Sequence, residues 1–535
     1  MKRTVAATLL SLCIAAQTAA QGLKSGRYEL PYKNTYVKEV FVAENEYRTA
    51  APERIAPRPF DEARRILPAP YWEGHDKEIE MYWHAWRIAV GNIRQPQEGS
   101  GFVSPYLDMA YNGNIFMWDM SFMMLYARYG YRYFPFQRSM DNFYAKQHPD
   151  GFICREIRAD GSDCFERYDP TSTGPDLLPW IELTYFRQFG DIDRLHRIFP
   201  ALCGYAKWWK LNRTWPDGTY WSSGWGTGMD NMPRVKPEYN PIFSHGHMVW
   251  LDTNLQQMLV DESLLQIGFH IERWQEIEWM EEEMKMLKRY INEHLWDERD
   301  GFLHDRYGDG SLCPTKGIGA YWALQTDALD KERLDRLVAH LSDTTEFARP
   351  HRVPSLSADH AKYNPVGRYW QGGVWPGTNY MVIDGLWRKG YRAQAREIAA
   401  NHYASVFEVW KKTGTFWEYY APERPEPGFM ARKDFVGWTG LPPIAVFIEY
   451  VLGIKSDYSE RRIEWDVTRT EAHGIERYPF GPNGVVDLKV RRRGSSSEVP
   501  AVTVSTDVPF DLTVLWGDGQ SRTVHVEKSG EVKLD

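Results

Sequence analysis

The chain has 535 residues, with 64 Lys and Arg against 72 Asp and Glu, so its formal net charge at neutral pH is −8. This length accommodates two or three domains, or one large barrel with a smaller appended domain. The acidic balance and the lack of a Lys- and Arg-rich run argue against a nucleic-acid-binding surface. Aromatic residues make up 15% of the chain, including 23 Trp and 31 Tyr. Such rings either pack between helices or stack on the apolar faces of sugars.

The N-terminus has the pattern of a secretory signal. Lys2 and Arg3 precede a nearly uninterrupted apolar run, and small residues follow up to Ala20. A basic start, a short apolar stretch and a small-residue cleavage site predict removal of residues 1–20 on export, which makes the mature protein periplasmic or secreted. The run is too short to cross a membrane, and no other segment approaches about 18 uninterrupted apolar residues, so we expect no membrane span.

Four cysteines follow the predicted signal: Cys154, Cys164, Cys203 and Cys313. An exported protein can oxidise its thiols, and Cys154 and Cys164 flank a turn that a disulfide could bridge. Free buried thiols are an equally open alternative. Their spacing matches no zinc pattern, so we predict neither a metal site nor a cofactor.

The spacing of apolar residues predicts a mainly α-helical protein. Residues 21–73 have no periodicity and are predicted to be an extended lead-in on the surface. From 74 to 454, apolar residues such as Leu251, Leu255 and Met258 recur at helical spacing. Gly, Pro and Asp-Gly signals divide this segment into helices that begin near residues 75, 116, 134, 174, 191, 249, 270, 316, 330, 376, 391 and 439. Twelve helices favour six hairpins closed into an (α/α)6 barrel, with two separate bundles as the alternative.

Short strands are predicted between the helices and after them. Four turns, at 150, 217, 300 and 413, lead into an aromatic residue, and three of the four units end on an acid. In a barrel such hairpins would gather at one end and form a cleft. From 455 to 535 the apolar residues alternate, notably over 485–490, 501–504 and 510–515, which predicts a small β-sandwich-like domain. A structural role is favoured for this domain over carbohydrate binding, for which Trp516 is the main candidate.

Two acidic residues stand in a setting suited to glycosidic bond hydrolysis, which needs one carboxyl as acid and one as base. Asp230 ends a Gly-rich run that also holds Trp225, and apolar enclosure would raise the pKa of its carboxyl toward that of a general acid. Arg234 could instead pair with Asp230 and keep it ionised. Glu418 lies beside Trp417, where a base could activate water. A turn-forming Asp and a solvent-facing Glu are the alternative interpretations.

Further candidate residues surround these two acids in sequence. Asp119 follows Trp118 at a predicted helix start, where an acid either caps the helix or binds a sugar hydroxyl. The segment Tyr369-Trp370-Gln371-Gly-Gly-Val-Trp375 suggests an aromatic wall before a helix that begins at a proline. The chain holds no GxSxG, phosphate-binding Gly loop or HExxH motif, which disfavours esterase, nucleotide-dependent and zinc-protease chemistry.

Four segments share their order and composition with one enzyme family. They are Gly228-Met-Asp-Asn-Met-Pro-Arg234, Tyr369-Trp-Gln-Gly-Gly-Val-Trp-Pro-Gly-Thr-Asn-Tyr380, Phe416-Trp-Glu-Tyr-Tyr420 and Phe435-Val-Gly-Trp438-Thr-Gly. This pattern resembles glycoside hydrolase family 63, near its bacterial mannosylglycerate and glucosylglycerate hydrolases. The Trp118-Asp119 segment is also similar to the family 37 trehalases.

The resemblance covers about residues 75–453 and implies inverting hydrolysis of α-linked sugars on an (α/α)6 barrel. It implies that Asp230 is the general acid and Glu418 the general base. Trp118, Asp119, Trp370 and Trp375 would hold the sugar, with Trp225, Arg234, Gln371, Trp417 and Trp438 as further substrate contacts. Gln371 stands where the family usually has Arg.

The leading hypothesis is an exported inverting α-glycosidase, most plausibly an α-glucosidase acting on a small glucoside or oligosaccharide. A trehalase-like hydrolase is one alternative. A sugar epimerase or uronic-acid lyase is another, and it would use His245, His247, His351 or His360 near the substrate. A non-catalytic carbohydrate-binding protein is the third. The linkage, the sugar and the oligomeric state are left open by the sequence.

Overall fold

The structure is a computed structural model that describes residues 22–25, 28–31, 39–109 and 112–534. The predicted signal at 1–20 lies outside the described residues. The α-helices are α1 Val40–Glu44, α2 Phe60–Ile66, α3 Asp76–Gly91, α4 Met117–Ala127, α5 Asp141–Ala145, α6 Leu178–Phe189, α7 Ile192–Asn212, α8 Leu251–His270, α9 Trp279–Tyr290, α10 Lys331–Ala339, α11 Pro376–Arg388 and α12 Arg392–Thr413. Helical turns of other types include Phe136–Met140, Trp274–Ile277, Ile318–Gln325, Trp438–Gly440 and the π-type helix Leu441–Val451.

The predicted helix starts agree with these bounds to within a few residues for most helices. The proline and glycine residues on which these predictions rest lie at the helix termini. α11 begins with Pro376, and Gly190 and Gly414 end α6 and α12 with φ of 68° and 72°, the left-handed conformation that glycine adopts readily. α9 has acidic residues in its first turn and basic residues in its last, which matches the helix dipole. The segment near 316 differs in type, because Ile318–Gln325 is a 3₁₀ helix.

Six helical segments are buried on nearly every side: α4, α6, α8, Ile318–Gln325, α11 and Leu441–Val451. Each contacts the next in this order, and Leu441–Val451 contacts α4 again. The helices α3, α7, α9, α10 and α12 each keep exposed residues on one side. The residues of the candidate site described below come from the N-terminal ends of the buried segments and from nearby loops.

The lead-in at 21–73, predicted to be extended, is partly helical. It contains α1 and α2, and Ala69–Trp72 forms a strand. Phe41 of α1 is buried against Phe199, with ring centroids 6.2 Å apart. The helices are only five and seven residues long, so packing rather than a periodic pattern stabilises them.

The strands are β1 Gly22–Ser25, β2 Tyr28–Pro31, β3 Ala69–Trp72, β4 Ile93–Arg94, β5 Tyr106–Leu107, β6 Ile115–Phe116, β7 Glu156–Ile157, β8 Met248–Val249, β9 Trp296–Asp297, β10 Phe302–Leu303, β11 Arg306–Tyr307, β12 Ile454–Asp457, β13 Arg462–Val467, β14 His473–Phe480, β15 Gly484–Val490, β16 Val502–Thr506, β17 Phe510–Trp516, β18 Gln520–Val526 and β19 Gly530–Val532. β15, β16 and β17 confirm the three strands predicted from alternation.

The C-terminal strands form two sheets. One has the order β12-β13-β17-β18, with β13 and β17 parallel, and the other has the order β19-β16-β15-β14-β3. Phe480 and Phe510 contact each other between the sheets, with ring centroids 5.5 Å apart. β3 joins this second sheet from the lead-in, so the lead-in and the C-terminal region are structurally continuous. Trp516 is 8% exposed and therefore offers little surface to a ligand.

Among the described residues, no helix is both long enough and apolar enough to cross a membrane. Cys154, Cys164, Cys203 and Cys313 are all free thiols, so the structure contains no bridge between Cys154 and Cys164.

Candidate active site

A cavity of about 640 Å³ lies among the loops at one end of the buried helices, within the size range of small-molecule sites. Both predicted catalytic residues, Asp230 and Glu418, line it. Trp118, Asp119, Trp225 and Trp438 line it as well. The remaining lining residues are Met109, Asn112, Phe116, Arg155, Glu156, Phe165, Gly228, Asn231, Arg368, Tyr369, Tyr419, Phe429, Met430, Arg432 and Phe435.

The Gly-rich loop places Asp230 by passing directly over an indole ring. Gly228 has a φ of +72°, and a Cβ at this position would lie 2.9 Å from the Trp118 ring. Only glycine fits both the conformation and the gap. On the other side, the Asn231 side chain accepts a hydrogen bond from the Trp370 amide at 2.8 Å, which ties the loop to the segment at 368–371.

Burial dominates the electrostatics of Asp230. It raises the pKa of this carboxyl, while Arg155 and a hydrogen bond donated by the Tyr369 hydroxyl at 3.1 Å oppose the rise. A raised pKa suits a group that must deliver a proton near neutral pH. Arg155 lines the same cavity, and its guanidinium lies 5.7 Å from the centroid of the Trp225 ring and 5.5 Å from that of Phe165.

Glu418 is held by its backbone. Its carbonyl accepts a hydrogen bond from the Trp438 indole at 2.7 Å, and its amide donates to the Arg432 carbonyl at 2.9 Å. Burial raises the pKa of its carboxyl to about 7, Arg432 opposes this, and the charge of Asp230 adds to it. The charge of Asp230 therefore acts on the Glu418 carboxyl within the same cavity.

Asp119 is a third carboxyl in this cavity. It lies in the first turn of α4 and is 6% exposed. Burial raises its pKa well above the ordinary value, Arg155 lowers it, and Glu418 and Asp230 raise it further. Its Oδ1 has no hydrogen-bond partner among the described residues. A buried acceptor of this kind is suited to a ligand hydroxyl, because an unpaired buried polar atom is costly.

Trp370 and Trp375, predicted to contact the sugar, form a layer behind the cavity wall. They stack on each other with centroids 4.1 Å apart and planes inclined by 2°, and are 1% and 2% exposed. Trp375 also stacks on Tyr419 at 4.3 Å, and Tyr419 is the ring that faces the cavity, together with Tyr369. The prediction identified the aromatic wall but assigned the sugar contact to its second layer.

Arg234, predicted to contact the substrate, does not line the cavity. It also does not pair with Asp230. Its guanidinium contacts both oxygens of Asp252, at 2.7 Å each, and both oxygens of Asp305, at 2.6 and 2.9 Å. It lies 4.4 Å from the centroid of the Trp250 ring. These contacts make Arg234 a buried anchor for the loop that carries Asp230.

Gln371 and Trp417 do not line the cavity either. The Gln371 side chain donates to the Asn231 carbonyl at 3.2 Å, so it supports the Asp230 loop from behind. The Trp417 indole donates to the Thr413 hydroxyl at 3.0 Å. Of the histidines considered for other chemistries, none is among the lining residues of the cavity within the described chain. His351 is buried against His402, with ring nitrogens 3.0 Å apart.

Comparison with known proteins identifies one enzyme family. The model of the mannosylglycerate hydrolase MGH1-like glycoside hydrolase domain matches residues 114–439, which is more than half of the chain. The chain belongs to this glycoside hydrolase family. The match runs from just before Trp118 to just after Trp438, so it contains all eleven predicted site residues. The resemblance stated from the motifs is confirmed, and the chain is a glycoside hydrolase.

Individual relatives are distant. An uncharacterized protein of Borreliella burgdorferi is 24% identical over 64% of this chain and 73% of its own length. A probable mannosyl-oligosaccharide glucosidase of Schizosaccharomyces pombe is 24% identical over 46% of this chain, and the match spans about a third (34%) of that relative. The crystal structure of the GH63 mannosylglycerate hydrolase of Thermus thermophilus in complex with glucose superposes with a TM-score of 0.55. That match has 17% identity and covers 69% of this chain and 99% of the other. At this identity it shows the shared fold.

Sequence reasoning missed the arginines of the cavity. Arg155, Arg368 and Arg432 line it, and Nη1 of Arg155 is buried with no hydrogen-bond partner in the described part of the chain. Arg368 lies three positions before Gln371. A signal for Arg155 existed, since it lies in the turn-and-strand unit at 150–156, one of four such units in the sequence. Only two of the four, those at 150 and 413, contribute lining residues.

Proposed function

We propose that this protein is an exported inverting α-glycosidase, an α-glucosidase that acts on a small α-glucoside or oligosaccharide. The observation that carries the proposal is that Asp230 and Glu418 line one cavity, where burial raises the pKa of both carboxyls. Hydrolysis of a glycosidic bond requires such a pair, with one carboxyl as acid and the other as base. The matched glucosidase of Schizosaccharomyces pombe supports the choice of glucoside.

In the proposed mechanism, the form with a single proton on Asp230 is active. Asp230 protonates the glycosidic oxygen as the bond to the anomeric carbon breaks, and Glu418 removes a proton from the water that attacks the opposite face. Burial raises the pKa of both carboxyls, and the hydrogen bond from the Tyr369 hydroxyl stabilises the Asp230 carboxylate that remains after proton transfer. Asp119 accepts a hydrogen bond from a sugar hydroxyl, and the Trp118 and Trp225 rings pack against the apolar face of the sugar.

The proposed architecture behind this site is an (α/α)6 barrel over residues 74–454, with a β-sandwich-like domain at 455–535. Six buried helical segments that contact one another in a closed order support the barrel, as do the partly exposed helices that alternate with them. The contact between the two C-terminal sheets supports the sandwich. Export is proposed from the basic and apolar pattern of residues 1–20 alone.

A second candidate substrate is a glycoside of a small carboxylic acid, such as mannosylglycerate or glucosylglycerate. Arg155 and Arg368 favour it, because guanidinium groups bind carboxylates with two parallel hydrogen bonds. The mannosylglycerate hydrolase of Rubrobacter radiotolerans is 26% identical over 30% of this chain. A panel of α-linked disaccharides together with these two glycerates separates the candidates, since Arg368→Gln should impair only the charged substrates.

Replacement of the two acids tests the proposed function. Asp230→Asn and Glu418→Gln should each reduce kcat by two orders of magnitude or more, the usual scale for a lost acid or base group. Circular dichroism and Tm should stay close to those of the wild type, since both changes are nearly isosteric. Activity near the wild-type level in either folded variant would remove that residue from the mechanism.

A further inference from the structure

A second cavity lies at the opposite end of the helices that form the active site. Asp119 is in the first turn of α4, and Arg128 directly follows its last residue. At a rise of about 1.5 Å per residue, the nine positions between them span about 14 Å. Likewise, α11 begins directly after Trp375 and ends at Arg388, which lines the second cavity. The second cavity is therefore separate from the active site.

The lining of this cavity is strongly charged. Its volume is about 140 Å³, roughly ten times what a single water-sized probe occupies. Four cations and two carboxylates line it, which leaves two net positive charges. They are Arg128, Arg187, Arg388, Lys455, Asp384 and Glu449.

The two carboxylates are occupied by other groups. Glu449 accepts hydrogen bonds from Arg128 at 2.7 Å, from the Tyr129 hydroxyl at 2.7 Å and from the Tyr380 hydroxyl at 2.8 Å. Asp384 accepts from the side chains of Gln325 and Tyr450, at 3.1 and 3.4 Å. Glu449 neutralises Arg128, so the net charge of the lining resides on the other three cations.

Arg187, Arg388 and Lys455 form no ion pair with any carboxylate in the part of the chain that the structure describes. Arg187 donates to the side-chain oxygen of Gln266 at 2.7 Å, and Arg388 to that of Gln325 at 3.0 Å. Both acceptors are neutral. Each guanidinium carries five N–H groups, so most of their donors remain available to a ligand.

Burial opposes the charged forms of two of these cations. It lowers the pKa of Arg187, and the charge of Arg388 lowers it further. Burial also lowers the pKa of Lys455 to about 8, with nearby carboxylates opposing the shift. The Lys455 ammonium donates to the Glu449 carbonyl and lies 3.7 Å from the centroid of the Trp387 ring, so its contacts are neutral too. An anion between the three cations would offset the cost of their burial and the repulsion between Arg187 and Arg388.

We propose that this cavity binds a tetrahedral oxyanion, phosphate or sulfate, between Arg187, Arg388 and Lys455. The planar guanidinium presents two parallel N–H groups that match the spacing of phosphate oxygens, and the ammonium group adds a point charge. Arg388 is solvent-exposed whereas Arg187 and Lys455 are partly buried. The anion enters past Arg388 and is held against the deeper pair.

A competing explanation is purely structural. Arg187 lies in the last turn of α6 and Arg388 in the last turn of α11. Cations there interact favourably with the negative ends of helix dipoles. In that case each arginine would stabilise the fold equally in the presence and absence of oxyanions. An anion-binding site would instead stabilise the fold only when an oxyanion is present.

The test is an anion titration of the full-length protein. Tm is measured against sodium phosphate, sodium sulfate and sodium chloride at matched ionic strength, for the wild type, Arg388→Gln and Lys389→Gln. Lys389 is the matched control, because it is adjacent to Arg388, carries the same charge and pairs instead with Asp327 at 2.5 Å. Phosphate binding is also measured by isothermal titration calorimetry.

Phosphate and sulfate should raise Tm of the wild type and of Lys389→Gln along a saturating curve, by about 2 °C or more. Arg388→Gln should lose this rise, and its affinity for phosphate should fall at least tenfold. A rise that is linear and equal in all three proteins would reflect general salt exclusion and would overturn the proposal. Equal effects of chloride would overturn the choice of an oxyanion. If Arg388→Gln fails to fold, Lys455→Met provides the same comparison.

Discussion

The hydroxyl of Tyr369 opposes the rise in the pKa of Asp230 that burial causes, and Tyr369→Phe removes that hydroxyl alone. The hydroxyl donates to Oδ2 of Asp230 at 3.1 Å and favours the ionised carboxylate. A hydrogen bond to a charged group is worth about 1.5–3 kcal/mol. The strongest such bonds measure about 2.5–2.7 Å, so this longer one belongs at the low end. Its loss should raise the pKa of Asp230 by about one unit, since about 1.36 kcal/mol corresponds to one pKa unit.

The sign follows from the role of Asp230 as the acid. In the active form Asp230 is protonated and Glu418 is ionised. Loss of the Tyr369 hydrogen bond raises the pKa of Asp230 and leaves the contacts of Glu418 unchanged. The limb of kcat/KM that reports Asp230 should therefore move upward by about one pH unit in Tyr369→Phe, while the limb that reports Glu418, whose pKa burial raises to about 7, should stay within about 0.3 units.

Tyr419→Phe is the matched control for this experiment. Tyr419 lines the same cavity, but its hydroxyl donates to the Phe429 carbonyl and not to a catalytic carboxyl. Its pH profile should keep both limbs. A pH profile in which neither limb moves upward in Tyr369→Phe would refute the reasoning about Asp230, as would an equal shift in the control.

Two further predictions separate residues that support the cavity from residues that line it. Arg234→Met leaves the Asp252 and Asp305 carboxylates buried and unpaired, so unfolding by urea should show a loss of about 3–5 kcal/mol. In the folded fraction kcat should fall, because the loop that carries Asp230 loses its anchor, while KM should stay within about twofold; a rise in KM with kcat unchanged would return Arg234 to the substrate site. Trp375→Ala should cost about 3–5 kcal/mol of stability, whereas Trp225→Ala should lower kcat/KM about tenfold, equivalent to about 1.4 kcal/mol, with Tm nearly unchanged; the reverse pattern would exchange their roles.

The helical part of the fold was predictable because its boundaries are local. Pro376 and Gly414 act on the helix that contains or precedes them, and the Gly-rich run before Asp230 requires a loop whatever it packs against. The helices α1 and α2 carry no such signal. They are stabilised by contacts with distant residues, as between Phe41 and Phe199.

The composition of the active site was predictable only in part, for a similar reason. The aromatic residues around Trp375 predict that this segment forms a wall of the cavity. They cannot show that Tyr419, 44 positions later, lies between Trp375 and the cavity. Arg234 is four positions from Asp230, which suggests a contact, yet its partners Asp252 and Asp305 are 18 and 71 positions away. Arg155 acts on Asp230 across 75 positions. Contacts between residues so far apart in the sequence depend on how the helices pack together.

The stereochemistry of hydrolysis tests the central claim most directly. If Asp230 is the acid and Glu418 activates water, displacement occurs in one step and inverts the anomeric centre, with the carboxyls roughly 6.5–9.5 Å apart as such a mechanism requires. Proton NMR during the first minutes of hydrolysis of an α-linked substrate should show the β-anomer of the released sugar before mutarotation. Initial release of the α-anomer would mean a retaining mechanism with a covalent intermediate and would contradict the role given to Glu418.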